Sequence, residues 1–372
     1  MSNTTLGALE GEIDRAHDVS EGGGMAIGET LHRMRYRLRQ YALTLSLGIP
    51  GRVWSTLLSP RSQRLDRDTI IILQNRYNTL LERDLDNVVA GYYPRALLYQ
   101  FPLFDYVRCI PEALIDLPRF LWRSYQRNHE DLPASVDRER YPSYYLRTFH
   151  WQTDGWLSPR SARLYDASVE FLFGGTADVM RRMAIPPIVD HTRPHHRPRI
   201  LDVGCGTGRF LDQLRQALPS GQLYGLDLSP YYLKRAAELL GEGTPVSLIA
   251  DNAESMPFAD GLFDAVTSVF LFHELPSDVR RQVMREAWRV LTPGGSFVVC
   301  DSAQLADSAE IEAALHAFPA AYHEPYYKGY LKDDLAVVMR ECGFEVVEST
   351  PHLVSKIVVG RKPLRIGRRR RR

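Results

Sequence analysis

Two histidine–glutamate pairs, His273-Glu274 and His323-Glu324, could move a proton. An imidazole changes charge near neutral pH, so one held beside a reacting group can act as its base. Pro325-Tyr326-Tyr327 follows the second pair and Phe318 precedes it, an aromatic setting suited to a ring-bearing ligand. A third cluster, His150-Trp151 with Asp154, is as dense in aromatics and hydrogen-bonding groups. Between these clusters runs Ile200-Leu-Asp-Val-Gly-Cys-Gly-Thr-Gly-Arg-Phe210. Its first four residues read as a buried strand. Gly204, Gly206 and Gly208 follow at every second position, and Phe210, Leu211, Leu214, Ala217 and Leu218 recur at helical spacing. Strand, glycine turn and helix in that order let backbone approach a ligand closely, with helix N-terminal amides turned toward it. The dinucleotide pattern G-x-G-x-x-G is not met, because its sixth position is Arg209. Asp227 ends the next apolar run, where an acid can accept hydrogen bonds from both hydroxyls of a ribose.

These groups need a frame that brings them together. From Arg199 the pattern alternates strand and helix, the mark of a parallel sheet with crossover helices. Strands are predicted at Ile200–Val203, Leu223–Asp227, Val246–Ala250, Ala265–Phe270 and Phe297–Asp301. An insertion, Ser302–Tyr330, precedes a helix at Asp334–Cys342 capped by Gly343. Phe344–Ser349 and Ser355–Val359 follow with no helix between them, so they are expected as antiparallel neighbours.

Asp202-x-Gly-x-Gly-x-Gly at a strand end resembles the first motif of the class I S-adenosylmethionine (SAM) methyltransferases. Asp227, Asp251-Asn252-Ala253, Phe263–Phe270 and Leu291-Thr-Pro-Gly-Gly295 match further stations of that family in order. The likeness spans about Trp151–Val359, nearest to the branch of the ubiquinone and menaquinone C-methyltransferases. It implies an α/β fold: a Rossmann-like seven-stranded class I methyltransferase sheet, here with an α-helical N-terminal extension. It also implies SAM as cofactor. Asp202, Gly204, Cys205, Gly206, Thr207 and Gly208 would hold its amino-acid end. Asp227 and Leu228 would hold the ribose, Asp251, Asn252 and Ala253 the adenine, and Phe270 would stand at the fourth strand end. His273, with Glu274, directly follows the fourth strand, where the family often carries a His. The insertion with His323, Tyr326 and Tyr327 occupies the usual lid position. His150, Trp151 and Asp154 precede the first strand, in a segment that often covers the cofactor.

The chain has 372 residues, 44% hydrophobic and 24% charged, as in globular proteins, with a formal net charge of only +1. That balance gives no global attraction to nucleic acid. An N-P-P-[YF] signature, used on amino groups of nucleic acid or protein, is also absent; His273-Glu274-Leu275-Pro276 stands in its place. Cys109, Cys205, Cys300 and Cys342 form no C-x-x-C pair, which argues against zinc and for a reducing compartment. His191, His195 and His196 lie among arginines in a connector, so no metal is expected there either. No apolar run nears the roughly 18 residues of a membrane span.

Four segments are expected: a disordered tail (1–30), a helical extension (31–143), the methyltransferase domain (144–360) and a basic tail (361–372). Asp131–Tyr141 is the candidate boundary. In the extension, Leu31, Met34, Leu38, Tyr41 and Leu45 form one helical stripe among Arg33, Arg35, Arg37 and Arg39, with Arg52, Arg61 and Arg64 beyond. Such a helix either packs on the protein or lies on an anionic membrane surface, as Arg368–Arg372 could. A helix is expected from Asp68 to about Val89, then short helices punctuated by Pro94, Pro102, Pro111 and Pro118. A last helix of this region ends before Pro186-Pro187. The reading is methyl transfer to a small or lipid-like ring-bearing acceptor in the cytoplasm, with peripheral membrane contact. A same-fold enzyme that transfers no methyl group, or a non-catalytic surface-binding protein, would share many of these features.

Overall fold

A computed structural model describes residues 28–47 and 65–364. Among the described residues the first helices are α1 (28–47), α2 (Arg67–Val89), α3 (Leu103–Gln126), α4 (Pro159–Leu172), α5 (Ala177–Arg182) and α6 (Ile185–Thr192). The alternating region follows as β1 (Arg199–Val203), α7 (Arg209–Ala217), β2 (Gln222–Asp227), α8 (Pro230–Leu240), β3 (Val246–Ala250), β4 (Phe263–Val269), α9 (Ser277–Val290) and β5 (Leu291–Ser302). The insertion folds into α10 (Leu305–Ser308), α11 (Glu312–Ala321) and α12 (Tyr327–Lys332). Then come α13 (Leu335–Glu341), β6 (Glu345–His352) and β7 (Ser355–Arg361).

The seven strands form one sheet in the order β3-β2-β1-β4-β5-β7-β6. β1 to β5 are parallel, and β7 runs antiparallel to both β5 and β6, as the missing helix between the last two strands predicts. Chain order reverses between β1 and β4, and at such a switch the strand ends leave a crevice for a ligand. Strand alternation divides the core into two faces. Ile200, Val298, Cys300, Ile357 and Val359 pack on one side, while Leu201, Val203, Phe297, Val299 and Val358 pack on the other.

The N-terminal helices share the first of these cores. Tyr36, Leu80, Leu81, Leu85, Leu97 and Leu98 belong to the same cluster as Ile188, Ile200 and Leu211. Asp131–Tyr141 therefore marks a change of composition within the packed structure and is not a divide between separate cores. A buried polar knot pins the helices down. Arg182 donates from Nε and Nη2 to the two Asp84 oxygens at 2.8 and 2.6 Å, Tyr93 adds a bond at 2.7 Å, and Tyr36 donates to the same carboxylate. Both charged side chains are almost sealed from solvent, so each is tolerable only because the other is present.

This knot corrects the expected orientation of α1. The helix does pack on the protein, but through Tyr36, Gln40 and Leu47, with Gln40 donating to Gly175 O at 2.8 Å. Leu31, Met34, Leu38 and Leu45 of the predicted stripe are exposed. Specific buried hydrogen bonds, not apolar area, set the rotation. Residues 28–30, assigned to the tail, form the first turn, where Glu29 pairs with Arg33 and Arg95. The remainder of that tail, Arg52, Arg61, Arg64 and Arg368–Arg372 lie outside the described residues.

The prolines also behave differently from expectation. Pro111 and Pro118 sit inside the continuous α3 instead of ending short helices. Both are on its exposed side, where the carbonyls they leave unbonded are not sealed in a core. The helix that Thr176 begins does end before Pro186-Pro187, as α5, and these two prolines open a further helix, α6, where a missing N–H costs little. Ser158-Pro159 and Ser229-Pro230 start α4 and α8, each serine accepting from a backbone amide.

Replacing Asp84 by Ala would leave Arg182 buried without its counter-charge. Asp84→Ala is expected to destabilise the fold by about 3–5 kcal/mol. Thermal denaturation should show a clearly lower midpoint than wild type, and an unchanged midpoint would mean that Arg182 finds water or another partner.

Candidate active site

The glycine turn is built from the ends of β1 and β2. Gly204 and Cys205 N–H groups donate to Leu226 O at 2.8 and 3.0 Å. Asp227 then accepts from Gly206 N and Ser229 N, both at 2.8 Å, so one carboxylate brackets the turn and the start of α8. Gly204 and Gly208 take φ of 72° and 77°, open to glycine and strained for other residues. A Cβ on Gly208 would lie 2.9 Å from the Ala236 Cβ, so its absence also lets α7 and α8 approach.

The cleft at this edge is lined by Gly204, Gly206, Asp227, Leu228, Asp251, Asn252, Ala253, Phe270 and Glu274. These include most of the expected cofactor residues. Asp202 lies beneath the turn, and its Oδ1 is buried with no hydrogen-bond partner. A buried orphan acceptor at this point fits the cationic amino group of SAM, while Asp227 fits the ribose. Burial pushes the Asp202 carboxyl well up, with the Asp227 charge adding to the shift. Burial likewise raises Asp227 to about 6, although two backbone N–H bonds pull it down.

Three expected residues support the turn and do not line the cleft. The Cys205 sulfur packs against Gly225, in space that a Cβ there would fill at 2.8 Å. Thr207 donates to Asp166 at 2.7 Å, and Gly208 serves helix packing. Other lining residues carry no motif: Tyr144, Tyr145, Trp156, Tyr165 and Tyr232. The sequence signal for the first four is aromatic density before β1, whereas Tyr232 comes from α8. Ser229 Oγ donates to Trp156 O at 2.6 Å, which holds this segment over the cleft.

Beyond Phe270, itself at φ 57°, lies a second, buried group of titratable side chains. His273 Nδ1 is 2.7 Å from Asp301 Oδ1 at the end of β5. Asp301 also accepts from Phe272 N and Ser302 N, each at 2.7 Å, and so is itself fixed. The imidazole thereby presents Nε2 to Glu274, 3.8 Å away. His150 Nε2 lies 3.8 Å from the same Glu274 oxygen and in contact with Glu324. Burial alone would lower both histidines. Asp301 with Glu324 outweighs it at His273, and Glu324 with Glu274 at His150, so both stand above the ordinary value. Glu274 is pushed well above the carboxylate range by burial, His150 pulling back and Glu324 adding to the rise.

The insertion therefore contributes Glu324, and His323 is a correction. Its ring stacks on His129 at 4.6 Å and lies 5.0 Å from Trp151, outside the group formed by His150, His273 and Glu324. Burial in that stack lowers His323 to about 4. His150 takes its place, held at φ 54° by its N–H bond to His323 O at 3.1 Å. Trp151 is buried behind His150, with its carbonyl accepting from Arg123. Asp154 turns the backbone at φ 67° and receives Leu157 N–H on its carbonyl, so it shapes the segment without reaching the cluster. Tyr327 packs on His273 with 6.0 Å between ring centroids and shares a 2.7 Å bond with Ser302; Tyr326 packs instead near Phe149.

The connector histidines bond to the protein: His191 Nε2 lies 3.1 Å from Asp264 O, and His195 Nδ1 lies 3.5 Å from Asp264 Oδ1. Metal-ligand spacing arises elsewhere. Among the described residues, one ligand atom each from His150, His273 and Glu324 come within 4.8 Å of one another, an arrangement that could hold a cation.

Known proteins share this framework. A methyltransferase-domain model matches residues 200–295. A demethylmenaquinone methyltransferase of Anoxybacillus flavithermus is 32% identical over 187 residues, covering 44% of this chain and 78% of the relative. A malonyl-acyl-carrier-protein O-methyltransferase of Geobacter sulfurreducens is 31% identical over 153 residues, covering 40% of this chain and 57% of its own length. Among solved structures, a SAM-dependent methyltransferase of Methanosarcina mazei is 19% identical with a TM-score of 0.39, covering 48% of this chain and 98% of its own. With the turn, its bracketing carboxylate and the reversed strand order in place, the sequence relationships identify the chain as a class I SAM-dependent methyltransferase, on the branch that includes the menaquinone-biosynthesis enzymes.

Proposed function

We propose that this enzyme methylates a ring-bearing, lipid-like acceptor lying between the aromatic wall of the cleft and the buried histidine–glutamate cluster. The observation that carries this reading is the placement of Glu274. It lines the cleft on one side and faces both His273 and His150 on the other. When bound, SAM supplies an electrophilic methyl group on a sulfonium whose leaving group is neutral. The chain's own task is then to orient the acceptor, exclude water and remove a proton where the acceptor carries one. Asp202, Gly204, Gly206, Asp227 and Asp251 hold the cofactor. Glu274, in its ionised form, takes the acceptor's proton and becomes the neutral acid, while His273, held through Nδ1 by Asp301, keeps Nε2 turned toward it at 3.8 Å. His150 and Glu324 close the far wall. The name of the Anoxybacillus relative makes a demethylated naphthoquinol the first acceptor to assay.

Three outcomes test the reading. First, Glu274→Gln and His273→Ala should each lower turnover by about 10²–10⁴-fold while SAM affinity stays near wild type. His323→Ala should leave turnover near wild type. If the first two variants turn over normally, with S-adenosylhomocysteine release as the readout, the reaction needs no base. Release without a methylated product would point to a different fate for the cofactor's methyl group.

Second, Asp227→Ala should weaken SAM binding by about 1.5–3 kcal/mol, since it removes both the ribose acceptor and the bracket of the turn. The ionised carboxylate is the better acceptor, and its raised value is about 6. Affinity measured by calorimetry should therefore fall as pH drops through that value. A flat profile from pH 5 to 8 would detach Asp227 from the cofactor.

Third, the proximity of His150, His273 and Glu324 favours one alternative, a divalent cation acting on the acceptor oxygen. Proton transfer by the cluster predicts full activity in EDTA. Activity lost in EDTA and restored by one divalent ion would replace it.

A further inference from the structure

We propose that α3 is a membrane-docking helix that lays its outer face into the headgroup boundary of an anionic lipid leaflet. This goes beyond methyl transfer and does not depend on the identity of the acceptor. In most surface helices the apolar side faces the core. In α3 the polarity is reversed. Its buried residues are Tyr106, Asp116 and Arg123, so two of the three turned inward are charged. Thr153 donates to Asp116 at 2.6 Å, and Arg123 reaches Trp151 O and Asp131. Glu112 is bound by Arg163 at 2.7 Å. These bonds fix the rotation and leave the opposite side outermost.

That outer side is strongly apolar. Phe104 is 81% exposed, Ile115 71%, Leu114 61% and Trp122 64%, and Ile110 and Tyr125 are exposed on the same helix. At 1.5 Å per residue the 24-residue helix presents a strip about 36 Å long. A contiguous surface of this kind marks an interaction site. No helix among the described residues is long and apolar enough to cross a membrane, so α3 is suited to lie on one.

Charge selects lipid over a second copy of the chain. Glu112 and Asp116 are turned inward and satisfied; Asp105 in the first turn is half exposed, 3.9 Å from Arg108, which is itself 83% exposed, and Arg119 is also exposed and adds a cation with no acid paired to it among the described residues. Arg35 of α1, exposed over the Tyr99 ring, adds a cation just before the helix begins. Arginine stems can lie along acyl chains while their heads reach phosphate, and Trp122 and Tyr125 suit the same interface. Two α3 helices paired antiparallel about Leu114 would bring Arg108 of one copy beside Arg119 of the other, a like-charge contact. Docking this way would also set the acceptor wall near the leaflet. His129, just after α3, stacks on His323, and Arg123 binds the carbonyl next to His150.

The test is co-sedimentation of the full chain with vesicles of phosphatidylcholine and phosphatidylglycerol, compared with phosphatidylcholine alone. Wild type should bind the anionic vesicles and release with salt. Ile115→Glu and Trp122→Glu, exposed positions outside the core, should each weaken binding about tenfold or more, with SAM affinity unchanged as proof of folding. Wild-type binding unaffected by both variants, but lost on removal of Arg368–Arg372, would assign the membrane contact to the tail and overturn the proposal. So would a wild-type dimer in sedimentation velocity that ignores vesicles and becomes monomeric on Ile115→Glu.

Discussion

The cleft beside the glycine turn depends on one carboxylate. Asp227 sits at the end of β2, yet it holds the amide of Gly206 from the turn after β1 and that of Ser229 ahead of α8. The glycines allow the turn's shape but do not enforce it; they could adopt many others. Asp227 removes that freedom. Its burial makes the charge costly, which the two amides partly offset, so the carboxylate stays available to accept further hydrogen bonds from a ligand. A carboxylate has about four acceptor positions, so bracketing the turn does not exhaust it.

The histidine–glutamate group is organised in the same way, by strand ends holding polar groups in the interior. Asp301 at the end of β5 fixes His273 just past the end of β4, and these two strands are hydrogen-bonded neighbours. The second pair, His150 and Glu324, comes from outside the sheet: one residue precedes β1 and the other lies in the insertion after β5. In this volume Glu324 raises the proton affinity of His273 and Glu274, while the two histidines oppose charge on each other, and Glu274 stands between the pairs. The far pair can meet the near one only if the segments before β1 and after β5 pack together, which the His150 N–H bond to His323 O accomplishes.

The extension shows how polar bonds can override apolar patterning. In α1 the buried side is chosen by Tyr36 and Gln40, and in α3 by Asp116 and Arg123. A buried polar group without partners costs more than an exposed leucine. Once these residues have found partners, the apolar stripes of both helices face outward. Methyltransferase core and extension are thus joined through buried charge, with Asp84 and Arg182 at the centre.

Local patterns along the chain were enough to place the sheet and the cofactor turn. Strand–helix alternation, the glycine spacing and acids at successive strand ends are such patterns, and the parallel sheet converts their order directly into position. Asp227, Asp251 and Phe270 reach the cleft for that reason. Which histidines meet is settled only by how distant segments pack. His273 was legible because the sheet fixes its place. His150 and His323 looked alike as histidines among aromatics, but a backbone turn and a stacked neighbour send one inward and the other away. The facing of α1 and α3 was likewise hidden. Periodicity reports which residues share a side of a helix, while the side that is buried is chosen by partners distant in sequence.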